Sequence, residues 1–323
     1  MAPNDNTLAT TVDALIERQM RNWPAAAARY ADLEHALTRV VSVAQSQVLL
    51  QFNPARVRSS GASLAPSTLT REHCFLCPDN QPPEQESVDW DGRYKIQVNP
   101  YPIFPRHLTI STIAHTPQTL LDPTRLDDML SLAAALPQFV IFYNGPRSGA
   151  SAPHHAHFQA GSKGLMPLID EVAEPMFWYP DDKIEIAKQG FVAVSVKMGR
   201  PFFMIKSGAQ PLAAIYAVRL QMAMMRAMNL AEEPMQNILC WLDDDDDYCM
   251  AIFPRREHRP ACYGTGEGQM VLSPAAVDMG GAWAIAHEQD YNALTATMVA
   301  DIYNELCVTR ETMSRIIDCF LTE

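Results

Sequence analysis

Apolar residues recur at helical spacing through residues 7 to 45. They run through TLATTVDALIERQM and, after a break at Asn22-Trp23-Pro24, through PAAAARYADLEHALTRVV. The pattern then shortens to strand-length runs rich in β-branched and aromatic residues: QVLLQF (47–52), RYKIQV (93–98), HLTIST (107–112), QFVIFYN (138–144) and HHAHFQA (154–160). An amphipathic stretch, DPTRLDDMLSLAAAL, separates the third run from the fourth, and its Asp122-Pro123 suits a helix start. A weaker copy of this order follows. FVAVSV (191–196) and PFFMIK (201–206) precede a helix over 212–228, then come QNILCWL (236–242) and YCMAIFP (248–254), joined by Asp243 to Asp247 as a tight polar turn. A glycine-rich loop, Gly264 to Gly268, and helices from about Asp290 close the chain. The pattern predicts an α+β fold of two related halves, each an antiparallel sheet flanked by helices, with an added N-terminal helical segment. The expected boundaries are 1–45 for that segment, 46–185 for the first half and 186–323 for the second.

Composition narrows the class. Of 323 residues, 48% are hydrophobic and 19% charged, enough to bury a sizeable core and too apolar for a disordered chain. No apolar run approaches the ~20 residues that span a bilayer. The opening MAPNDNTLAT lacks a basic-then-apolar signal pattern, so a soluble cytoplasmic protein with no membrane partner is expected, as a monomer or homodimer. Net charge is −12, from 25 Lys and Arg against 37 Asp and Glu, which argues against a nucleic-acid partner. Anionic small molecules stay open, because a few local cations can bind phosphate inside an acidic protein. Of seven cysteines only Cys74 and Cys77 sit close together, which fits a metal site in a reducing compartment better than a disulfide scaffold.

The candidate chemistry gathers in the first half. In Ser151-Ala-Pro-His154-His155-Ala-His157-Phe-Gln159, strand alternation would put His155, His157 and Gln159 on one face and His154 on the other. Cys74-Phe-Leu-Cys77 has the spacing for two thiolates on one tetrahedral Zn²⁺, with His115 and a member of the histidine cluster as the remaining ligands; a redox dithiol is the alternative. Polar and cationic residues surround the histidine strand. Asn144, Arg147 and Ser148 lie in the turn before it, Lys163 after it, and Arg56 and Arg58 after the first strand. Arg255 and Arg256, in Phe253-Pro-Arg-Arg-Glu-His258-Arg259, are the matching cations of the second half.

These residues resemble the histidine-triad superfamily, in particular its branch of galactose-1-phosphate uridylyltransferases, diadenosine-tetraphosphate phosphorylases and GDP-hexose phosphorylases. That branch carries H-x-H-x-Q where small histidine-triad hydrolases carry a third histidine. FNPARVRSS, CFLCPDNQPPEQ, VNPYPIFPRHLTI, HTPQ, FYNGPRSGASAP and HFQAGSKG also resemble bacterial proteins with a DUF4922-type domain. The resemblance implies that His157 is the nucleophile, that Gln159 contacts the phosphoryl group, and that Cys74, Cys77, His115 and His155 hold a structural zinc. One extra residue separates Pro153 from His155, which leaves open whether His154 or His155 is the metal ligand. The implied activity is nucleotidyl transfer from an NDP-sugar or dinucleoside polyphosphate, through a nucleotidyl-histidine on His157, to phosphate or a sugar phosphate. Ser151, Gln159, Arg147 and Lys163 would neutralise the phosphoryl oxygens. A hydrolase releasing nucleoside monophosphate, and an inactive zinc-stabilised nucleotide-binding protein, are the other readings.

Overall fold

A computed structural model describes residues 6–54, 71–174, 177–178 and 182–322. Two N-terminal helices, Asn6–Asn22 and Pro24–Glu34, meet at Trp23, where the proline opens the second. The helical reading ends there. Residues Leu37–Val43 form strand β1, which turns at Ala44 (φ 53°) and pairs antiparallel with β2 (Ser46–Phe52), from Leu37 opposite Phe52 to Val43 opposite Ser46. The β-branched Thr38, Val40, Val41 and Val43 lose less rotamer freedom in a strand than in a helix, and a strand partner was within reach.

The main sheet has ten strands. The first half supplies β3 (Ser87–Trp90), β4 (Tyr94–Val98), β5 (His107–Thr112), β6 (Phe139–Asn144) and β7 (His157–Ser162). The second supplies β8 (Lys183–Ala187), β9 (Gly190–Ser195), β10 (Phe202–Ser207), β11 (Gln236–Leu242) and β12 (Tyr248–Pro254). Their order across the sheet is β3-β4-β5-β7-β6-β11-β12-β10-β9-β8, so the halves repeat one topology about the antiparallel β6–β11 seam. Each half also carries one crossover helix, Thr124–Ala135 and Gln210–Ala227. The ten strands pair antiparallel throughout. The smaller sheet does not, because β13 (Ala282–Ile285) runs parallel to β2. The run Asp243 to Asp247 is the β11–β12 turn, closed by the Asp243 amide on the Asp247 carbonyl at 3.0 Å and by Lys206 against both carboxylates.

Both faces of the sheet are covered, which explains why β6 and β11 read as unbroken apolar runs rather than alternating ones. On one face Phe139, Ile141, Phe158, Ile238 and Ile252 pack under the crossover helices and the last helix, Arg310–Leu321. On the other, Val140, Phe142, Leu239 and Phe253 pack against β2, β13 and the helix Ala296–Leu306. Alternation places residues 157 and 159 on this second face, toward the small sheet. No described helix is long and apolar enough to cross a membrane.

Candidate active site and metal cluster

The segment Arg71–Asn80 lays two cysteines against the first-half sheet. The Cys77 amide donates to the Cys74 carbonyl at 3.0 Å and the Asn80 side chain donates to the same oxygen at 3.0 Å, closing a tight knuckle. Cys74 Sγ lies 3.2 Å from His155 Nδ1, and Cys77 Sγ lies 3.1 Å from His115 Nδ1. The ligand atoms of Cys74, Cys77, His115 and His155 all fall within 4.8 Å of one another. This Cys₂His₂ cluster can bind a metal ion. His155 is already oriented for it: its Nε2–H donates to the Thr112 carbonyl at 2.8 Å, which leaves the Nδ1 lone pair turned to the sulfurs. Burial pushes the Cys74 thiol up to about 11, a cost that a cation among the four groups would offset. His154 is not in the cluster. Its ring lies 5.3 Å from that of His115, and both its nitrogens are buried without a hydrogen-bond partner.

The histidine segment is not strand throughout. β7 begins at His157, and His155 sits in the preceding turn with its amide on the Ala152 carbonyl at 3.1 Å, so the two do not share a strand face. Pro153, which cannot donate to a ladder, lies in the segment that delays the strand. The result separates two jobs, His155 in the cysteine cluster and His157 at the start of the strand.

His157 is buried and held at three points. Its Nδ1–H donates to the His155 carbonyl at 2.8 Å, which leaves the lone pair on Nε2. Its backbone amide donates to Gln118 Oε1 at 2.8 Å, while the Gln118 amide nitrogen donates to the carbonyls of His157 and Asn144, each at 2.9 Å. Burial drives the His157 pKa down to about 4, so the ring is neutral at pH 7, the form a nucleophilic imidazole requires.

Two residues along the strand, Gln159 lines a cavity of about 800 Å³ between the main sheet and β13. Ser151, Asn144, Gly149, Asn99 and Phe142 line it beside Gln159, and Trp283 to Ile285 form the far wall. Gly149 adopts φ +96°, and a Cβ there would meet Ala275 Cβ at 2.7 Å, so this turn packs against Ala275 only with glycine. Asn144 Oδ1 accepts from Asn237 Nδ2 (2.9 Å) and the Ala276 amide (2.8 Å), joining the two halves at the cavity floor. Ser148 is buried, with a hydroxyl that finds no partner.

The expected cations are elsewhere. Arg147 donates to the Glu233 carbonyl and pairs with Glu232 at 3.6 Å. Lys163 Nζ donates to the Leu242 carbonyl at 2.6 Å, drawn toward the aspartate turn. Arg255 is wholly buried and donates to Asn237 Oδ1 and the carbonyls of Pro274, Glu257 and His258; it is a structural hub. Arg256 donates to the carbonyls of Glu305 and Asn304. None of the four lines the cavity; backbone carbonyls compete for a guanidinium or ammonium, and sequence spacing does not reveal them. Arg56 and Arg58 lie outside the described residues. Among the described residues, the cations lining the cavity are Arg29, stacked 4.5 Å above Tyr101, and Arg259, stacked 4.1 Å above Tyr263. Sequence reasoning missed both, although Arg259 ends the string that contains Arg255. His258 also lines the cavity, its pKa lowered to about 4 by burial and by the neighbouring guanidinium groups.

Residues 15–162 match the model of a family described as a domain of unknown function, DUF4922. The diadenosine 5',5'''-P1,P4-tetraphosphate phosphorylase 2 of Saccharomyces cerevisiae is 27% identical across 36% of this chain and 42% of its own length, so the match spans less than half of that relative. Among solved structures, the yeast Ap4A phosphorylase Apa2 in complex with AMP superposes with a TM-score of 0.56 at 16% identity, covering 90% of this chain and 96% of its own. The same enzyme in complex with Ap4A gives 0.56 and 16%, covering 88% and 97%. The α+β architecture expected from the sequence is thus shared with that fold.

Proposed function

We propose, from a chain that carries a DUF4922 match over residues 15–162 and the fold of Ap4A phosphorylase, that it is a phosphorylase-type nucleotidyltransferase acting on a dinucleoside polyphosphate or an NDP-sugar. The observation that carries the reading is the His157 ring: neutral, buried, with its Nδ1 proton on the His155 carbonyl, two residues before Gln159, which with Ser151 lines the cavity.

The Nε2 lone pair attacks the α-phosphorus, forming a P–N bond as the P–O bond to the leaving phosphate chain breaks. The leaving oxygen departs with the electron pair of that bond. Donors on Gln159 and Ser151 face the phosphoryl oxygens, and Arg29 and Arg259 replace the cations first expected there. Phosphate then attacks the same phosphorus, the P–N bond breaks with its electron pair returning to Nε2, and a nucleoside diphosphate leaves. Zinc suits the two thiolates and two imidazoles of Cys74, Cys77, His115 and His155, and with no ligand position left open it would be structural. The three-part division at residues 45 and 185 is part of this proposal, with His157, Gln159 and Ser151 in the first half and Arg259 in the second.

Incubation with Ap4A radiolabelled at the α-phosphorus, followed by rapid quenching, should leave an acid-labile, alkali-stable label. His157→Ala should lose both label and turnover. Normal turnover by that variant would remove the covalent mechanism. Release of monophosphate alone, indifferent to added phosphate or sugar phosphate, would replace the phosphorylase by a hydrolase.

A further inference from the structure

The side-chain amide of Gln159 has two unlike ends, and only one can assist a phosphoryl group. Its NH₂ donates to a phosphoryl oxygen, whereas its carbonyl oxygen repels one. What decides the orientation lies behind Gln159, in the segment from Asn99 to His107 that joins β4 to β5.

Two relays run through that segment. In the first, the Ile103 backbone N–H donates to His107 Nδ1 at 3.2 Å. A backbone N–H can only donate, so Nδ1 is the acceptor and the ring proton sits on Nε2. Nε2 lies 3.0 Å from Gln159 Oε1, and an N–H there demands the oxygen end of the amide. In the second, the Tyr101 backbone N–H donates to Asn99 Oδ1 at 2.9 Å, which turns the Asn99 NH₂ toward Thr109 Oγ1 (3.1 Å) and Gln159 Oε1 (3.4 Å). Both relays start at a backbone amide and end on the same oxygen. His107 is wholly buried between the Phe104 and Phe142 rings, at 5.4 and 5.9 Å, so the relay is shielded from water. Tyr30, from the second N-terminal helix, places its hydroxyl against the carbonyls of both Asn99 (3.1 Å) and His107 (3.0 Å).

We infer that His107 is a positioning residue that locks the Gln159 amide with its NH₂ end available to the cavity, and that Asn99 seconds it. The inference deepens the transferase reading and rests on it for its kinetic consequence. A free amide would spend part of its time flipped, with an oxygen where the transition state gathers negative charge.

The test is a double-mutant cycle on Ap4A phosphorolysis, paired with a measurement that needs no turnover. His107→Phe fills the pocket between two phenyl rings without supplying a donor. It should lower kcat by roughly 10- to 100-fold with KM little changed, a loss typical of a misplaced catalytic group. In a Gln159→Leu background, where no amide remains to orient, the same replacement should change kcat by less than about 2-fold. Independent, multiplying losses would assign His107 a purely structural role and overturn the inference. Long-range ¹H–¹⁵N NMR of the ring should show the Nε2–H tautomer of His107, shifted by Gln159→Leu. An Nδ1–H tautomer would overturn the inference even if wild-type protein turned over Ap4A. A failure to turn over any nucleotide would strike the transferase reading, while the NMR result would still decide the tautomer and with it the lock on Gln159.

Discussion

The carbonyl of His155 accepts the Nδ1 proton of His157, while the Nδ1 of His155 itself faces the two cysteines. One residue therefore serves the Cys₂His₂ cluster with its ring and His157 with its backbone. A metal lost from Cys74, Cys77, His115 and His155 would loosen the turn that aims His157. Cys77→Ser should accordingly lose about one equivalent of bound metal and lower the melting temperature together, read by elemental analysis and calorimetry. Full metal content in a Cys74→Ser/Cys77→Ser double variant would place the ion elsewhere. The four candidate ligands were legible in the sequence because two cysteines three apart and histidines near strands are a local pattern. The choice of His155 over His154 was not, since it depends on a turn closed by the Ala152 carbonyl and on a hydrogen bond to Thr112. Arg255 illustrates the opposite error: a guanidinium in a promising string is wholly committed to Asn237 and three carbonyls.

Among the elements, the central strands β6, β11 and β12 were read within a residue of their ends, because strands buried on both faces announce themselves as apolar runs. Strands β1 and β13 were not. The first follows a helix without a break in apolar spacing, and the second gains its identity from β2, which is more than two hundred residues away. The N-terminal helices hold the segment behind Gln159 through a long-range contact of the same kind, the single hydroxyl of Tyr30 shared between two strand-end carbonyls. Tyr30→Phe removes that donor while keeping the ring, and should cost about 1–3 kcal/mol in chemical denaturation. An unchanged unfolding midpoint would show that the Tyr30 hydroxyl does not contribute to holding the helix.

At the scale of the molecule, the weak internal repeat of the sequence corresponds to a real one: five strands and a crossover helix, twice, in one continuous sheet. The sequence could not show that the two sheets fuse, since the β6–β11 seam is a pairing between halves rather than a local signal. Fusion matters for the cavity, because Asn144 on one side of the seam and Asn237 on the other hydrogen-bond at its floor. The repeat is unequal at the proposed nucleophile. Where β7 opens with His157-Phe158-Gln159, β12, in the same place in its half, opens with Tyr248-Cys249-Met250. A symmetric pair of histidine-bearing halves would offer two acceptor nitrogens to the nucleotide, and its pre-steady-state burst would have an amplitude of two. Under the proposed mechanism, with one such histidine per chain, quenched-flow titration should saturate at one nucleotide bound covalently per polypeptide, however many copies of the chain assemble.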